Sequence, residues 1–434
     1  MFDVLIKNAT IITMQGIEHV LYNAWCGIEG KYITYLSENA PENTEAVRTI
    51  NADGDILMPG LINCHAHTAM TVLRGFSDDC TLNDWLYNHI FPAEAKLDER
   101  AVSAGFSLGM AEMLSTGTVT FCDMYYYIDK LAHLADRAGM RCFISNGILS
   151  FDDDYEFEKD RAVIELKKLL QDDTLSDRVH VQASIHCERT SPTTAWDSAV
   201  SLAKEKGLAM HVHLSETAPD HDGCVKEYGI TPAKRLSDHG VFDIPCVAAH
   251  CVHVTEDDMK LLAQKHVTAV HNPVSNLKLA SGIADICKMR DLGVNVALGT
   301  DGASSNNTLD MFEDMKLAAL LAKNKNGDPA AFTAYDALCL STVNGAKALG
   351  LSDITGKIQC GYEADLILLD TNKLHRVPMH DPMSCVVYCL GGQDVYMTMV
   401  AGKILYENGV FHTLNPYDAV REVKEYVMPL ISEK

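Results

Sequence analysis

Apolar and polar positions alternate along this chain in two textures. Residues 1–58 carry short apolar runs at 3–6, 9–14, 24–29 and 32–36, separated by Gly, Asn and charged residues, and the stretch 51–55 reads as a turn. That is a pattern of short strands joined by turns. From residue 59 the spacing widens: apolar strand candidates at 61–65, 118–123, 140–145, 179–184, 209–214, 246–250, 268–271 and 294–298 are interleaved with amphipathic helical stretches at 99–115, 128–138, 161–171, 196–205, 256–265 and 309–323. Past residue 349 short strands return, at 364–369, 386–388, 396–400 and 403–406, and a helix over 416–430 closes the chain.

Repeated strand–helix units imply parallel strands, and eight of them predict an α/β chain with a (β/α)8, TIM-like barrel over 59–355. The two flanking segments, 1–58 and 356–434, are each small for a domain and share one texture. They are expected to pair into one small β-sandwich beside the barrel, with the final helix attached.

Composition narrows the functional classes. A net charge of −23 disfavours a nucleic-acid or anionic-membrane partner bound through a basic face. The 14 cysteines form no Cys-x-x-Cys pair and many sit among apolar residues, the usage of buried free thiols in a reducing compartment. The N-terminus reads as a strand, not a signal peptide, and no apolar run approaches the ~18 residues of a spanning helix. A cytoplasmic protein is expected.

Chemistry in such barrels sits where strands end. The first barrel strand runs through Pro59-Gly60-Leu61-Ile62-Asn63-Cys64 into His65-Ala66-His67, two histidines at i and i+2 that share one side of a strand. Later strand ends answer it with His211-Val212-His213-Leu214-Ser215-Glu216, His250-Cys251, His271-Asn272-Pro273 and Thr300-Asp301-Gly302. Three histidines and an aspartate at one barrel mouth make a four-ligand metal site suited to Zn²⁺, with Fe²⁺ or Mn²⁺ as alternatives. Of the histidines on the fifth strand, His213 is read as the ligand and His211 as packed one layer deeper. Asp301 is both a ligand and a candidate base, Glu216 a candidate proton donor to substrate, and His250 a candidate partner of the attacking water. Taken singly, Asp301 before Gly302 reads as a turn residue, His271 as a turn support, Glu94 as a helix-start carboxylate and Trp85 as a packing aromatic.

The ordered set resembles the amidohydrolase superfamily and, within it, the 5′-methylthioadenosine/S-adenosylhomocysteine deaminases. The likeness is carried by 59–67, Met70-Thr71-Val72-Leu73-Arg74-Gly75-Phe76, Trp85-Leu86, Pro92-Ala93-Glu94, His213-Leu214-Ser215-Glu216, Ala249-His250-Cys251-Val252-His253, 271–279, 299–307 and Gly361-Tyr362-Glu363-Ala364-Asp365-Leu366. It implies one divalent metal, usually zinc, on His65, His67, His213 and Asp301. It implies deamination of an adenosine-type nucleoside, with Glu216 protonating a purine ring nitrogen, Asp301 passing a proton to the departing ammonia and His250 assisting. Glu94 would hold the ribose hydroxyls, Trp85 would line the pocket and His186 would contact the nucleoside. A homo-oligomer is also implied.

Two departures bear on the substrate. Where the family runs through Pro-Tyr-Thr after the histidine matching His186, this chain has Cys187-Glu188-Arg189-Thr190. Where the family has Arg-Gly-Leu, it has Asn146-Gly147-Ile148, and Arg161 or Arg189 are the candidates to replace that charge. The alternatives are an aminohydrolase or chlorohydrolase of the same mechanism acting on a guanine-like, pterin or triazine ring, and a non-catalytic binding relative.

Overall fold

The structure, a computed structural model, describes residues 1–432 other than 18 and 153. The alternating region forms two five-stranded parallel sheets. One orders the strands Ala183–Cys187, Met210–Leu214, Cys246–His250, Thr268–His271 and Asn295–Leu298. The other orders Asp301–Gly302, Leu61–His67, Thr118–Met124, Arg141–Ser145 and Val179–Val181. In each sheet the strands are buried nearly throughout, the condition under which parallel strands read as continuous apolar runs. The run expected over 179–184 is broken at Gln182, and its halves belong to different sheets.

The helices between the strands lie close to their expected bounds. Glu99–Ser115 starts where the Asp98 carboxylate accepts from the Ala101 backbone N–H. Ile128–Ala138 ends at Gly139, whose φ of 82° is the left-handed stop that glycine adopts at least cost. Glu256–Gln264 begins with a reciprocal capping box between Thr255 and Asp258.

Both chain ends enter one nine-stranded mixed sheet in the order Val410–Phe411, Lys403–Glu407, Val395–Val400, Leu366–Leu369, Ile56–Pro59, Phe2–Ile12, Val20–Glu29, Tyr32–Ser37, with Ala46–Asn51 also paired to Phe2–Ile12. Ile56–Pro59 is the seam: it runs parallel to Phe2–Ile12 and antiparallel to Leu366–Leu369. One expectation fails here. Residues 386–388 are not a strand but the end of the helix Pro382–Tyr388. Asp381 caps its first turn, accepting from the Met383 and Ser384 N–H groups, and Met383, Cys385, Val386 and Val387 are buried. A short β-branched run cannot by itself be told from a buried helix segment.

A buried ion cluster joins the end sheet to the parallel region. Arg141 Nη2 lies 2.6 Å from Glu363 Oε2 and 3.3 Å from Asp365 Oδ2, and Lys31 Nζ lies 2.7 Å from Glu363 Oε1. The three side chains of the Arg141 contacts are at most 8% exposed. Deleting the guanidinium leaves two carboxylates buried with too little compensation, a change that costs about 3–5 kcal/mol. Arg141→Met is therefore expected to lower the urea unfolding midpoint markedly, and an unchanged midpoint would show that the cluster contributes nothing to stability.

Candidate active site

The strand ends gather the expected residues into one place. His65 and His67 come from Leu61–His67, His213 from Met210–Leu214, His250 from Cys246–His250 and Asp301 from the two-residue strand that pairs with it at Ala66. Close approach of the last strand to the first depends on Gly299, where a Cβ would lie 2.9 Å from the His65 Cβ and 2.5 Å from Asn272 Oδ1. Three residues at the mouth hold left-handed backbone: Ser215 (φ 45°), His250 (φ 72°) and Asp301 (φ 62°). Such conformations cost non-glycine residues energy and cluster at functional sites.

Hydrogen bonds settle which imidazole nitrogen faces inward. His67 Nδ1 is 2.5 Å from the Met124 carbonyl and His213 Nδ1 is 2.7 Å from the His186 carbonyl. A carbonyl only accepts, so both Nδ1 atoms carry a proton and the Nε2 atoms are the ones left to face a cation. Those two Nε2 atoms face each other at 3.2 Å. His65 Nε2 is buried with no hydrogen-bond partner among the described residues, 3.4 Å from Asp301 Oδ1, which is itself 3.5 Å from His67 Nε2. Ligand atoms of His65, His67 and His213 lie within 4.8 Å of one another, as do those of His65, His250 and Asp301. Converging lone pairs and a carboxylate oxygen, with an orphaned buried nitrogen among them, fit a divalent cation. Burial holds His65 down to about 4 and His213 well below the ordinary range, so both are neutral, as ligation requires. Burial would raise Asp301, but His65, His250 and His67 together hold it well below the usual carboxylate range.

A second layer orients these groups. His211 lies one layer deeper, as expected, with Nε2 2.8 Å from His65 Nδ1. Ser275 and Ser305 hydroxyls donate to Asp301 Oδ2 at 2.6 and 3.0 Å. His250 Nδ1 is 2.8 Å from Asn276 Oδ1, and its Nε2 is 3.7 Å from Glu216 Oε2. Sequence reasoning did not single out Ser275, Asn276 or Ser305. The only signal was their place inside the stretches 271–279 and 299–307. His271 is buried at its strand end and joins no cluster of donor atoms among the described residues.

Above the donors opens a pocket lined by Trp85, Glu94, His186, Glu216, His250 and Asp301 among others. Burial raises Glu216 above the ordinary carboxylate range, the direction that suits a proton donor. Glu94 is also raised by burial and accepts from the hydroxyls of Tyr125 at 2.7 Å and Tyr126 at 3.4 Å, partners not foreseen from sequence. His186 Nδ1 lies 2.6 Å from the Thr190 hydroxyl, and its ring packs 4.8 Å from that of His213. Trp85 is buried, its indole N–H without a partner among the described residues. Of the two arginines considered, Arg189 lines the pocket. Arg161 instead bonds Glu165 at 2.6 Å and stacks 3.6 Å from the Tyr127 ring centroid, while Asn146 donates to the same Glu165 at 3.0 Å.

This architecture and donor set are those of a metal-dependent hydrolase, and residues 56–405 match the amidohydrolase family. The chain belongs to that family, and its fold is a TIM-barrel-like α/β fold. Among its relatives, the 5-methylthioadenosine/S-adenosylhomocysteine deaminase of Acetivibrio thermocellus is 40% identical, over 98% of each chain. The 5'-deoxyadenosine deaminase of Methanosarcina acetivorans is 38% identical, over 100% of this chain and 99% of its own. Among solved structures, an adenosine deaminase from Xanthomonas campestris with bound zinc superposes with a TM-score of 0.94 at 30% identity, covering 100% of this chain and 99% of that one.

One pocket residue makes the stability of the fold depend on pH. Burial pushes Glu188 up to about 7 from its ordinary 4.5. The folded state thus favours its protonated form, a contribution fully present below pH 4.5 and lost as pH rises through 7. In metal-replete protein, Glu188→Gln is expected to gain stability over the parent as pH rises across that window, by up to about 3 kcal/mol. Parallel melting-temperature curves for the two proteins would refute it.

Proposed function

We propose that this chain is a hydrolytic deaminase of adenosine-type nucleosides that works with one divalent cation, most simply Zn²⁺, held by His65, His67, His213 and Asp301. The observation that carries the reading is the convergence of donor nitrogens of His65, His67 and His213, with the Asp301 carboxylate 3.4 and 3.5 Å from the first two, at the floor of a pocket that also holds Glu216 and Glu94. Near full-length similarity to deaminases of methylthioadenosine, S-adenosylhomocysteine and 5'-deoxyadenosine supports the substrate class. The cation, when bound, supplies a water acidic enough to act near neutral pH.

The remaining steps belong to the side chains. Glu216, whose carboxyl burial shifts toward the protonated form, donates to a ring nitrogen of the purine and so makes C6 electrophilic. Asp301, held ionised, takes the proton of the attacking water and delivers it to the departing amino group. C6–O forms, the C6–N bond then breaks, and the proton left on the oxygen restores the acid form of Glu216, giving the inosine counterpart and ammonia. His250, its Nδ1 fixed by Asn276, offers Nε2 to the water. Glu94, anchored by Tyr125 and Tyr126, has acceptor capacity left for the ribose hydroxyls. Trp85 gives the base an apolar face, and His186 closes the side next to His213. The half-buried Glu94 lining the pocket favours a nucleoside over a bare guanine-like, pterin or triazine ring.

The domain reading follows the same lines. We take 59–355 as a closed (β/α)8 barrel. Its closure is supported by the pairing of Asp301–Gly302 with Leu61–His67 and by the Asn63–Thr300 side-chain bond at 2.7 Å. Residues 1–58 and 356–434 form a β-sandwich, supported by one apolar cluster that joins Ile6, Ile11 and Ile28 to Leu366, Leu368 and Met397. A cytoplasmic homo-oligomer, with neither nucleic acid nor membrane as partner, completes the proposal. The charge of −23 agrees with the absence of both, and among the described residues no helix is long and apolar enough to cross a membrane.

Metal-replete protein should release ammonia from adenosine, 5'-deoxyadenosine, methylthioadenosine or S-adenosylhomocysteine. Glu216→Gln should lower kcat/KM by roughly 10²–10⁴-fold, the scale of general acid catalysis, while retaining the metal. No ammonia from any of the four, with one metal per chain still bound, would end the adenosine reading. His211→Phe leaves His65 Nδ1 without its partner and should weaken zinc binding about 10–100-fold in chelator competition. Unaltered zinc affinity would remove His211 from the support of the site.

A further inference from the structure

A second set of metal-ligating side chains gathers on the segment that walls one side of the pocket. Ligand atoms of Cys80, Asp84 and His89 lie within 4.8 Å of one another, and the set shares no residue with the donors at the pocket floor. Cys80 is half-buried, just ahead of the helical turn Leu82–Asp84, where the Thr81 hydroxyl accepts from the Asp84 N–H. The Ser77 hydroxyl is 3.5 Å from Cys80 Sγ. His89 Nε2 lies 3.9 Å from Asp84 Oδ2, while Asp84 Oδ1 accepts from the Asn88 side-chain amide at 2.7 Å. Between Asp84 and His89 in the chain stand Trp85 and Leu86, which line the pocket.

The backbone brings the two helical donors together. Residues five apart on an α-helix lie about 140° apart around its axis and face different ways. Trp85–Ile90 is instead a π-helical turn, closed by hydrogen bonds over five residues such as that from the Phe91 N–H to the Leu86 carbonyl. The wider turn sets residue i+5 over residue i, so His89 comes over Asp84. Single π turns of this kind are frequent at functional sites. Two plainer accounts cover part of the arrangement. The Asp84 and His89 side chains, 48% and 43% exposed, form a surface pair of little worth, and the π turn aims Trp85 at the pocket. Neither account calls for a thiol at the same point.

We propose that Cys80, Asp84 and His89 form a second cation site, for Zn²⁺, with water completing the coordination. Thiolate, imidazole and carboxylate are the ligand classes of zinc, whereas Mg²⁺ and Ca²⁺ take oxygen donors. Binding forms a sulfur–metal bond at Cys80 and releases the thiol proton to solvent. With two of its three donors half in solvent, the ion is held more weakly than one at the pocket floor. It spans the turn that carries Trp85 and Leu86, so its occupancy fixes that wall of the pocket.

The test uses the full chain loaded with one equivalent of zinc and titrates Cd²⁺ as a zinc surrogate. The floor donors include no thiol, so a sulfur-to-cadmium charge-transfer band in the ultraviolet reports binding elsewhere, whether or not cadmium also exchanges into the floor. One further equivalent should bind with that band, and added Zn²⁺ should bleach it by competition. Cys80→Ser should abolish the band while the first equivalent of zinc stays bound. Asp84→Asn and His89→Ala, both at half-exposed positions, should each weaken cadmium binding by no less than the roughly 10–100-fold that loss of a merely supporting group costs. Absence of the band, or a band that survives Cys80→Ser, would overturn the site. Parent-like affinity in both Asp84→Asn and His89→Ala would also overturn it, leaving an adventitious thiol adduct only. None of these outcomes touches the deaminase reading, which ammonia release tests separately.

Discussion

Repulsion among buried lone pairs is the constraint on which this molecule turns. His67 and His213 direct their Nε2 atoms at each other across 3.2 Å, with the orphaned His65 Nε2 and the Asp301 carboxylate beside them. Each buried polar atom left without a partner costs about 1–3 kcal/mol. A flexible chain would relax such a cluster. Here each member is pinned from behind: His67 by the Met124 carbonyl, His213 by the His186 carbonyl, His65 by His211, and Asp301 by two serine hydroxyls. The strand ladders hold those pins, and the proposed cation is what turns the repulsion into coordination.

Backbone strain at the same mouth follows from that demand. A strand ends by pointing its next side chain away from the axis, and the left-handed φ values at Ser215, His250 and Asp301 turn the chain while the functional atoms stay over the pocket. Strain of roughly 1–3 kcal/mol per residue persists only where the surroundings fix it. The Cys251 N–H donates to the Leu214 carbonyl and the His253 N–H to the Ser215 carbonyl, so neighbouring strand ends lock each other's turns.

Much of this was legible in the sequence, for identifiable reasons. The helices Glu99–Ser115 and Ile128–Ala138 were readable to the residue because a capping Asp98 and a terminal Gly139 mark their limits. His65, His67, His213, His250 and Asp301 were readable because strand periodicity and strand ends put them at one mouth. The break at Gln182 was not, since an apolar run does not record where a sheet changes partners. Residues 386–388 misled because three apolar positions fit either period. The orienting groups Ser275, Asn276, Ser305, Tyr125 and Tyr126 were invisible for a different reason. Serines, asparagines and tyrosines are common, and only distances of 2.6–3.4 Å separate those that hold a catalytic carboxylate or imidazole from those that do not.

Floor and wall of the pocket are built on different principles, and that difference explains how substrate choice can vary without disturbing the chemistry. The floor residues sit at strand ends of the two parallel sheets, each held by an outer partner. Glu188 and Arg189 sit on a loop, and their neighbours Tyr87 and Asp220 come from helices outside the parallel sheets. Exchanging a charge there alters what the far end of a substrate meets while leaving the imidazole tautomers and the Asp301 pins in place. Asn146 and Arg189 fit that logic: both line the pocket, Arg189 brings a cation from the loop, and position 146 is neutral and bonded to Glu165.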